Sequence, residues 1–205
     1  MNILKNSSQI IFCFLFITII PPKLNAFEQS QSVSLKIENF FKKLETLEAD
    51  FIQVSPSGDV SSGKVFLDLP GKLRIDYEKP NNLLITSKGS WIVIQDRDSK
   101  STNNIPLKSS PFSMLLKNKS ILKSKNLKTE YNVSSGIVSL KIKSYDNEKP
   151  ESLILEFSEN PFSLKKWIII DTFGESTTVL IQNAKYNMKL SHLLFFPIDF
   201  PEPNF

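Results

Sequence analysis

The side chains that could do covalent chemistry are few. His192 is the only histidine of the 205-residue chain, which excludes the multi-histidine sets that hold a catalytic zinc ion. A lone histidine is usually structural or solvated, so His192 is not taken as catalytic. No Walker A loop, GxGxxG turn or GxSxG elbow occurs. Cys13 is the only cysteine, and it lies inside the apolar run Ile10 to Ile20. It is a poor lipidation site, because Phe12 stands where a small residue is wanted. Aspartates and glutamates are scattered over turns and the polar sides of strands, and nothing marks a catalytic pair among them. The chain does offer apolar surface in quantity, with 16 phenylalanines and 40% hydrophobic residues. Binding a lipid needs no reactive group. It needs a concave apolar surface that can open, since each buried CH2 is worth about 0.8 kcal/mol.

The elements that would shape such a surface can be read from periodicity. Residues 1–26 stand apart: Lys5 precedes the apolar run, no acidic residue occurs before Glu28, and Leu24-Asn25-Ala26 ends on a small residue. These are the marks of a secretory signal peptide cleaved after Ala26, and eleven apolar residues are too few to span a bilayer, which needs about 20. Cys13, Lys5 and Lys23 would leave with it. The remainder, 27–205, would be one domain of 179 residues (205 less 26) without cysteine. It could rely on no disulfide. With 25 basic residues reduced by two against 21 acidic ones, its charge of +2 is too balanced to argue for nucleic acid.

From Gln31 to Leu47, Val33, Ile37, Phe40, Phe41, Leu44 and Leu47 recur at spacings of three and four, which predicts an amphipathic helix. Its phenylalanine-rich stripe either packs on a sheet or forms part of a lipid-binding wall. Glu48 to Ser55 reads as the first strand, and Ser57-Gly58-Asp59 and Ser61-Ser62-Gly63 read as turns.

The central hairpin follows. Val65, Leu67 and Leu69 alternate with Lys64, Phe66 and Asp68, and beyond Pro70-Gly71, Leu73, Ile75 and Tyr77 alternate with Lys72, Arg74 and Asp76. A two-residue loop would set Leu67 opposite Arg74. One more loop residue would pair Leu69 with Leu73, Leu67 with Ile75 and Val65 with Tyr77, and keeps like with like. Short strands are expected at Leu83–Thr86, Trp91–Ile94 (apolar throughout, so covered on both faces) and Asn104–Leu107. Ser110-Pro111-Phe112 opens a short helix, with Ser120 to Leu127 as a further turn. The lysines from Lys117 to Lys128 read as a solvated face or as a docking surface for an acidic partner or for anionic lipid headgroups. Strands are then expected at Tyr131–Ser134, Ile137–Lys143, Ser152–Ser158, Leu164–Asp171 and Thr177–Asn183, an antiparallel meander with short loops. The proline-rich end, with Pro197, Pro201 and Pro203, is expected at an edge or loose. The sum is one antiparallel sheet of about ten strands, which should curl.

Several segments carry a resemblance. FIQ at Phe51 to Gln53, GKVFLDLPGKLRIDYEKP from Gly63 to Pro80 and KGSWIVIQDRDSK from Lys88 to Lys100 are the first. IPLKSSPFSMLL from Ile105 to Leu116, FSENPFSLKKWIIIDTFGESTTVLIQN from Phe157 to Asn183 and the terminal LFFPIDFP follow in order. Together they resemble the LolA family, periplasmic carriers of outer-membrane lipoproteins, most closely its alphaproteobacterial branch. The resemblance implies a mainly β fold with helices (α+β): an unclosed antiparallel β-barrel of ten to eleven strands with a helical lid over a hydrophobic cavity. It implies a cavity lined by Phe40, Leu44, Phe51, Leu67, Leu69, Leu73, Ile75, Tyr77 and Trp91, with Phe112, Met114 and Leu115 from the lid. Plain core is the competing reading for each. It also implies no enzymatic activity and no cofactor or metal. Acylated lipoproteins would be the cargo of a monomer, an inner-membrane LolCDE-like ABC transporter its source, and a LolB-like outer-membrane receptor its acceptor. Leu69 departs from the family, in which an arginine before the hairpin proline helps to hold the lid and to hand over cargo. Arg74 is the candidate substitute, although alternation turns it to the other face. A carrier of free lipid or glycolipid, and a solid-core secreted β-domain that binds protein partners, are the alternative readings.

Overall fold

The computed structural model describes residues 24–110, 112–116, 125, 127–144 and 151–200. Helix α1 (Leu24–Lys43) is followed by strands β1 (Thr46–Val54), β2 (Val60–Asp68), β3 (Lys72–Tyr77), β4 (Leu83–Lys88), β5 (Trp91–Asp96) and β6 (Ser101–Pro106). A 3-10 turn (Leu107–Ser109) and the one-turn helix α2 (Phe112–Leu116) lead to β7 (Leu127–Ser134), β8 (Ile137–Ser144), β9 (Ser152–Ser158), β10 (Ser163–Ile170) and β11 (Ser176–Tyr186). A second 3-10 turn, His192–Phe195, follows.

All eleven strands form one antiparallel sheet in the order β6-β5-β4-β3-β2-β1-β11-β10-β9-β8-β7. Every neighbour is a neighbour in sequence except β1 and β11, so the first and last strands meet at the centre. The two edges, β6 and β7, are consecutive in the chain, and the segment carrying α2 bridges between them. The sheet curls rather than lying flat: Ile92 of β5 and Val138 of β8, from opposite flanks, belong to one buried cluster together with Val33, Ile37 and Phe41 of α1 and Met114 to Leu116 of α2. The architecture is therefore an unclosed antiparallel barrel with eleven strands and two helices on its inner side.

Alternation determines which side chains reach that interior. Leu47, Ala49 and Phe51 of β1 stand opposite Leu67, Val65 and Gly63 of β2. Across the hairpin Leu67 pairs with Leu73, Val65 with Ile75 and Gly63 with Tyr77. The faces are those expected, but the register slides by two residues, because Leu69 is part of the turn and not of the strand. Its N–H donates to the Glu45 carbonyl at 2.8 Å, prolonging the β1 contact, and Gly71 N–H turns away to the Leu116 carbonyl at 3.0 Å. Gly71 adopts φ +83°, which suits glycine.

Three other expectations are corrected. Helix α1 stops at Lys43 and Leu47 lies in β1, since Leu47 fits the period of the strand as well as that of the helix. Ser61-Ser62-Gly63 is strand, not turn. The end of the described chain is neither an edge nor loose: the turn His192–Phe195 packs on the outer face of β3 and β4. There Arg74 Nη1 donates to the Leu194 carbonyl at 3.0 Å, and Gln95 exchanges hydrogen bonds with the backbone of Ile198 at 2.7 and 2.8 Å. Lys72 Nζ lies 5.7 Å from the centre of the Phe195 ring. Phe195 and Leu84 are fully buried beneath this cover, apart from the inner cluster. The strand at Trp91–Ile94 is thus covered on both faces only in part, by the barrel interior and by this tail. The turn expected from Ser120 to Leu127, with Lys117, Lys119 and Lys123, lies mostly outside the described residues.

Candidate functional site

The interior holds a cavity of about 130 Å³. Phe51 and Gln53 of β1, Ile75 and Tyr77 of β3, and Ile85 of β4 line one side. Trp167 and Ile169 of β10, Thr177 and Val179 of β11, and Phe112 of α2 line the other. These positions cluster toward one end of the strands: in register, Gln53 faces Val179, which faces Trp167, a single row across three strands. At the opposite end the interior is filled by Leu67, Leu73, Leu115 and Leu116, each no more than 4% exposed. The lid helix begins where Ser110 Oγ accepts a hydrogen bond from Phe112 N–H at 3.2 Å, and it carries Phe112 across to Trp167, whose ring lies 6.3 Å away, edge to face.

Gly63 makes room on the inner face. A Cβ there would come within 2.1 Å of the Asp76 carbonyl oxygen and 2.9 Å of the Phe51 ring. With only hydrogen at that position, Phe51 and Tyr77 close over it, with ring centres 5.1 Å apart. The Tyr77 hydroxyl donates to Gln53 Oε1 at 2.8 Å. Burial raises the pKa of Tyr77, only partly offset by that bond, so the phenol stays protonated and remains a donor. Trp167 Nε1 is buried with no hydrogen-bond partner.

The expected site residues divide into four groups. Phe51, Ile75, Tyr77 and Phe112 line the cavity. Leu67, Leu69, Leu73, Met114 and Leu115 are buried in the surrounding core. Phe40 and Leu44 lie instead on an open groove of about 350 Å³ beside α1, with Lys36, Lys43, Phe162 and Tyr186. Trp91 does not line the interior at all. Ser87 of β4 faces inward opposite Leu73 and pairs with Ile92, so Trp91 points outward and is 53% exposed. An unbroken apolar run carries no alternation from which its face could be read. Sequence reading missed Gln53, Ile85, Trp167, Ile169, Thr177 and Val179. The strands β10 and β11 were expected, but no face was assigned to either, and the pattern carries no signal for the depth at which the lid leaves the interior uncovered.

Arg74 is no latch for the lid. It lies on the outer face, hydrogen-bonded to Asp76 and the tail. Leu69, 7% exposed, lies in the core cluster shared with α2, and its turn is tied to the lid by the Gly71–Leu116 hydrogen bond. His192 is on the surface with its ring against Phe196. Among the described residues no three His, Cys, Asp or Glu side chains are grouped to hold a metal ion, and no helix is long and apolar enough to cross a membrane.

An open antiparallel barrel whose apolar interior is plugged by a short, separable helix is the frame of a class of hydrophobic carriers. The sequence matches the family described as outer membrane lipoprotein carrier protein LolA over residues 42–197, and the chain belongs to that family. It is 28% identical over 167 residues to an outer-membrane lipoprotein carrier protein of Chromobacterium violaceum, covering 78% of this chain and 80% of that one. It is 38% identical over 68 residues to the protein of the same description from Methylococcus capsulatus, covering 31% and 33%. Among solved structures, it is similar to an uncharacterised conserved protein of Thermus thermophilus (TM-score 0.49, 10% identity, 83% of this chain and 96% of that one). A LolA superfamily protein of Nitrosomonas europaea is also similar (TM-score 0.44, 11% identity, 82% and 97%).

Proposed function

We propose that this protein carries lipoproteins across the periplasm by sheltering their acyl chains inside the barrel. Residues 1–26 would direct its export and be removed, leaving 27–205 as the carrier. A LolCDE-like ABC transporter would load it, acting on a single copy of the carrier, and a LolB-like receptor would accept the cargo at the outer membrane. The observation that carries this reading is the cavity beneath α2, in a chain of the lipoprotein-carrier family. Its volume is about 130 Å³, and Phe112 of α2 forms part of its wall. In this reading acyl chains enter as the lid leaves. Phe112, Met114, Leu115 and Leu116 fill the interior with the same apolar contacts that a chain would make. Replacing one set by the other changes the free energy little, which suits a carrier that must also release, with the driving energy supplied by the transporter.

Phe112→Glu tests this. Phe112 is only partly buried, so the fold should survive, while a carboxylate at the cavity wall should abolish the co-purification of acylated lipoprotein from periplasmic extract. Lipoprotein retained at the unsubstituted level would overturn the proposal. Leu73→Glu is a poorer test, because Leu73 is fully buried and its charge would unfold the core.

A further inference from the structure

We infer that Trp167 recognises the ester carbonyl at the head of an acyl chain, an inference that rests on the carrier reading above. Four of the ten residues lining the cavity carry polar groups: Gln53, Tyr77, Trp167 and Thr177. Tyr77 already donates its proton to Gln53 Oε1. The Trp167 indole N–H has no acceptor, although it is fully withdrawn from solvent. Indole nitrogen can only donate, and a buried donor without a partner is unfavourable. The residue itself is 2% exposed, sits in the row Trp167–Val179–Gln53 and is one of the ten that line the cavity.

The lining also states what kind of acceptor fits. None of the ten residues is charged. A phosphate or a fatty-acid carboxylate would be left buried without a counter-charge, which is costly. A neutral carbonyl attached to an alkyl chain satisfies the indole and leaves the apolar walls to the chain. Phe112 packs edge-on against the Trp167 ring, so the lid residue that must leave to admit a chain is a neighbour of the ring that carries this donor.

The test compares a synthetic diacylglyceryl-cysteine lipopeptide with its dialkyl ether analogue, which has the same chains without ester carbonyls, and with free palmitate. The unsubstituted protein should bind the ester about five- to tenfold more tightly than the ether, the worth of one neutral hydrogen bond, and palmitate more weakly than the ester. Trp167→Phe should abolish the preference for ester over ether, whatever it does to the affinity for the chains themselves. In a Trp91→Phe background Trp167 is the sole indole of the chain, and the ultraviolet resonance Raman marker of indole hydrogen bonding should respond to the ester and not to the ether. Equal affinities for ester and ether, or an ester preference that survives Trp167→Phe, overturn the assignment while leaving the carrier reading intact. Palmitate binding as tightly as the ester overturns the requirement for a neutral acceptor. Failure of the unsubstituted protein to bind either lipopeptide overturns the carrier reading itself.

Discussion

On the outer face of β3, Asp76 receives hydrogen bonds from Arg74, at 3.1 Å from Nε and again from Nη2, and from Arg97 Nη2. Burial alone would raise its pKa. The bonds from Arg97 and Arg74 and their charges outweigh burial, and the carboxyl titrates below its ordinary value. A depressed pKa stabilises the fold at any pH above the unfolded-state value, about 3.9, and that contribution disappears as the pH falls through the folded-state value. Asp76→Asn should therefore cost about 1–3 kcal/mol at neutral pH, where it leaves two guanidinium groups facing an amide. The gap between variant and parent should close in acid, as the pH falls through the depressed folded-state value of Asp76, because both side chains are then neutral. Urea denaturation at neutral and acidic pH measures this, and a gap that stays constant with pH would assign the loss to shape and not to charge.

The terminal turn and its extension cover the sheet from outside without pairing as a strand. Phe195 is 1% exposed although it lies outside the barrel, on a turn that packs against β3 and β4. Phe195→Ala should lower stability by about 3 kcal/mol, the low end for such a truncation, since a tail held on one side can settle into the gap. An unchanged thermal midpoint would mean that the hydrogen bonds of Gln95 and Arg74 hold the tail by themselves. This clip was invisible in the sequence: Pro197, Pro201 and Pro203 rule out ladder pairing, and side-chain-to-backbone bonds such as Gln95 to Ile198 leave no periodic trace. The strands were legible because a half-buried strand must alternate. Val65 and Leu67 opposite Ile75 and Leu73 reveal the inner face from residue types alone. Position along the strand has no such signature. That is why the resemblance implied Leu67, Leu73, Ile75 and Tyr77 alike as cavity wall, while Leu67 and Leu73, further along the same face, proved to be solid core. The boundary between α1 and β1 blurred for a related reason, because Leu47 satisfies both periods.

For the whole molecule, the order of the strands sets which parts can move. The sheet's centre, β2-β1-β11, has nine paired positions between β1 and β2, whereas edge strands β6 and β7 are mostly exposed and, among the described residues, are not paired with each other. Opening at this seam breaks no ladder. Opening anywhere else costs a row of backbone hydrogen bonds, each unfavourable to lose when its groups stay buried. Cargo should therefore enter by displacing α2 across the gap and not by parting two strands. Hydrogen exchange read by mass spectrometry separates the two routes. Amides of β1, β2 and β11 should exchange slowly and equally with and without a synthetic lipopeptide, those of β6 and β7 quickly in both, and those of α2 should lose protection when lipopeptide is bound, since the helix has given up its place inside. Faster exchange in β1 or β11 on binding would show that the barrel itself parts, and α2 would then be a fixed wall whose contacts with Trp167 and with Gly71 hold the cavity's shape rather than close it.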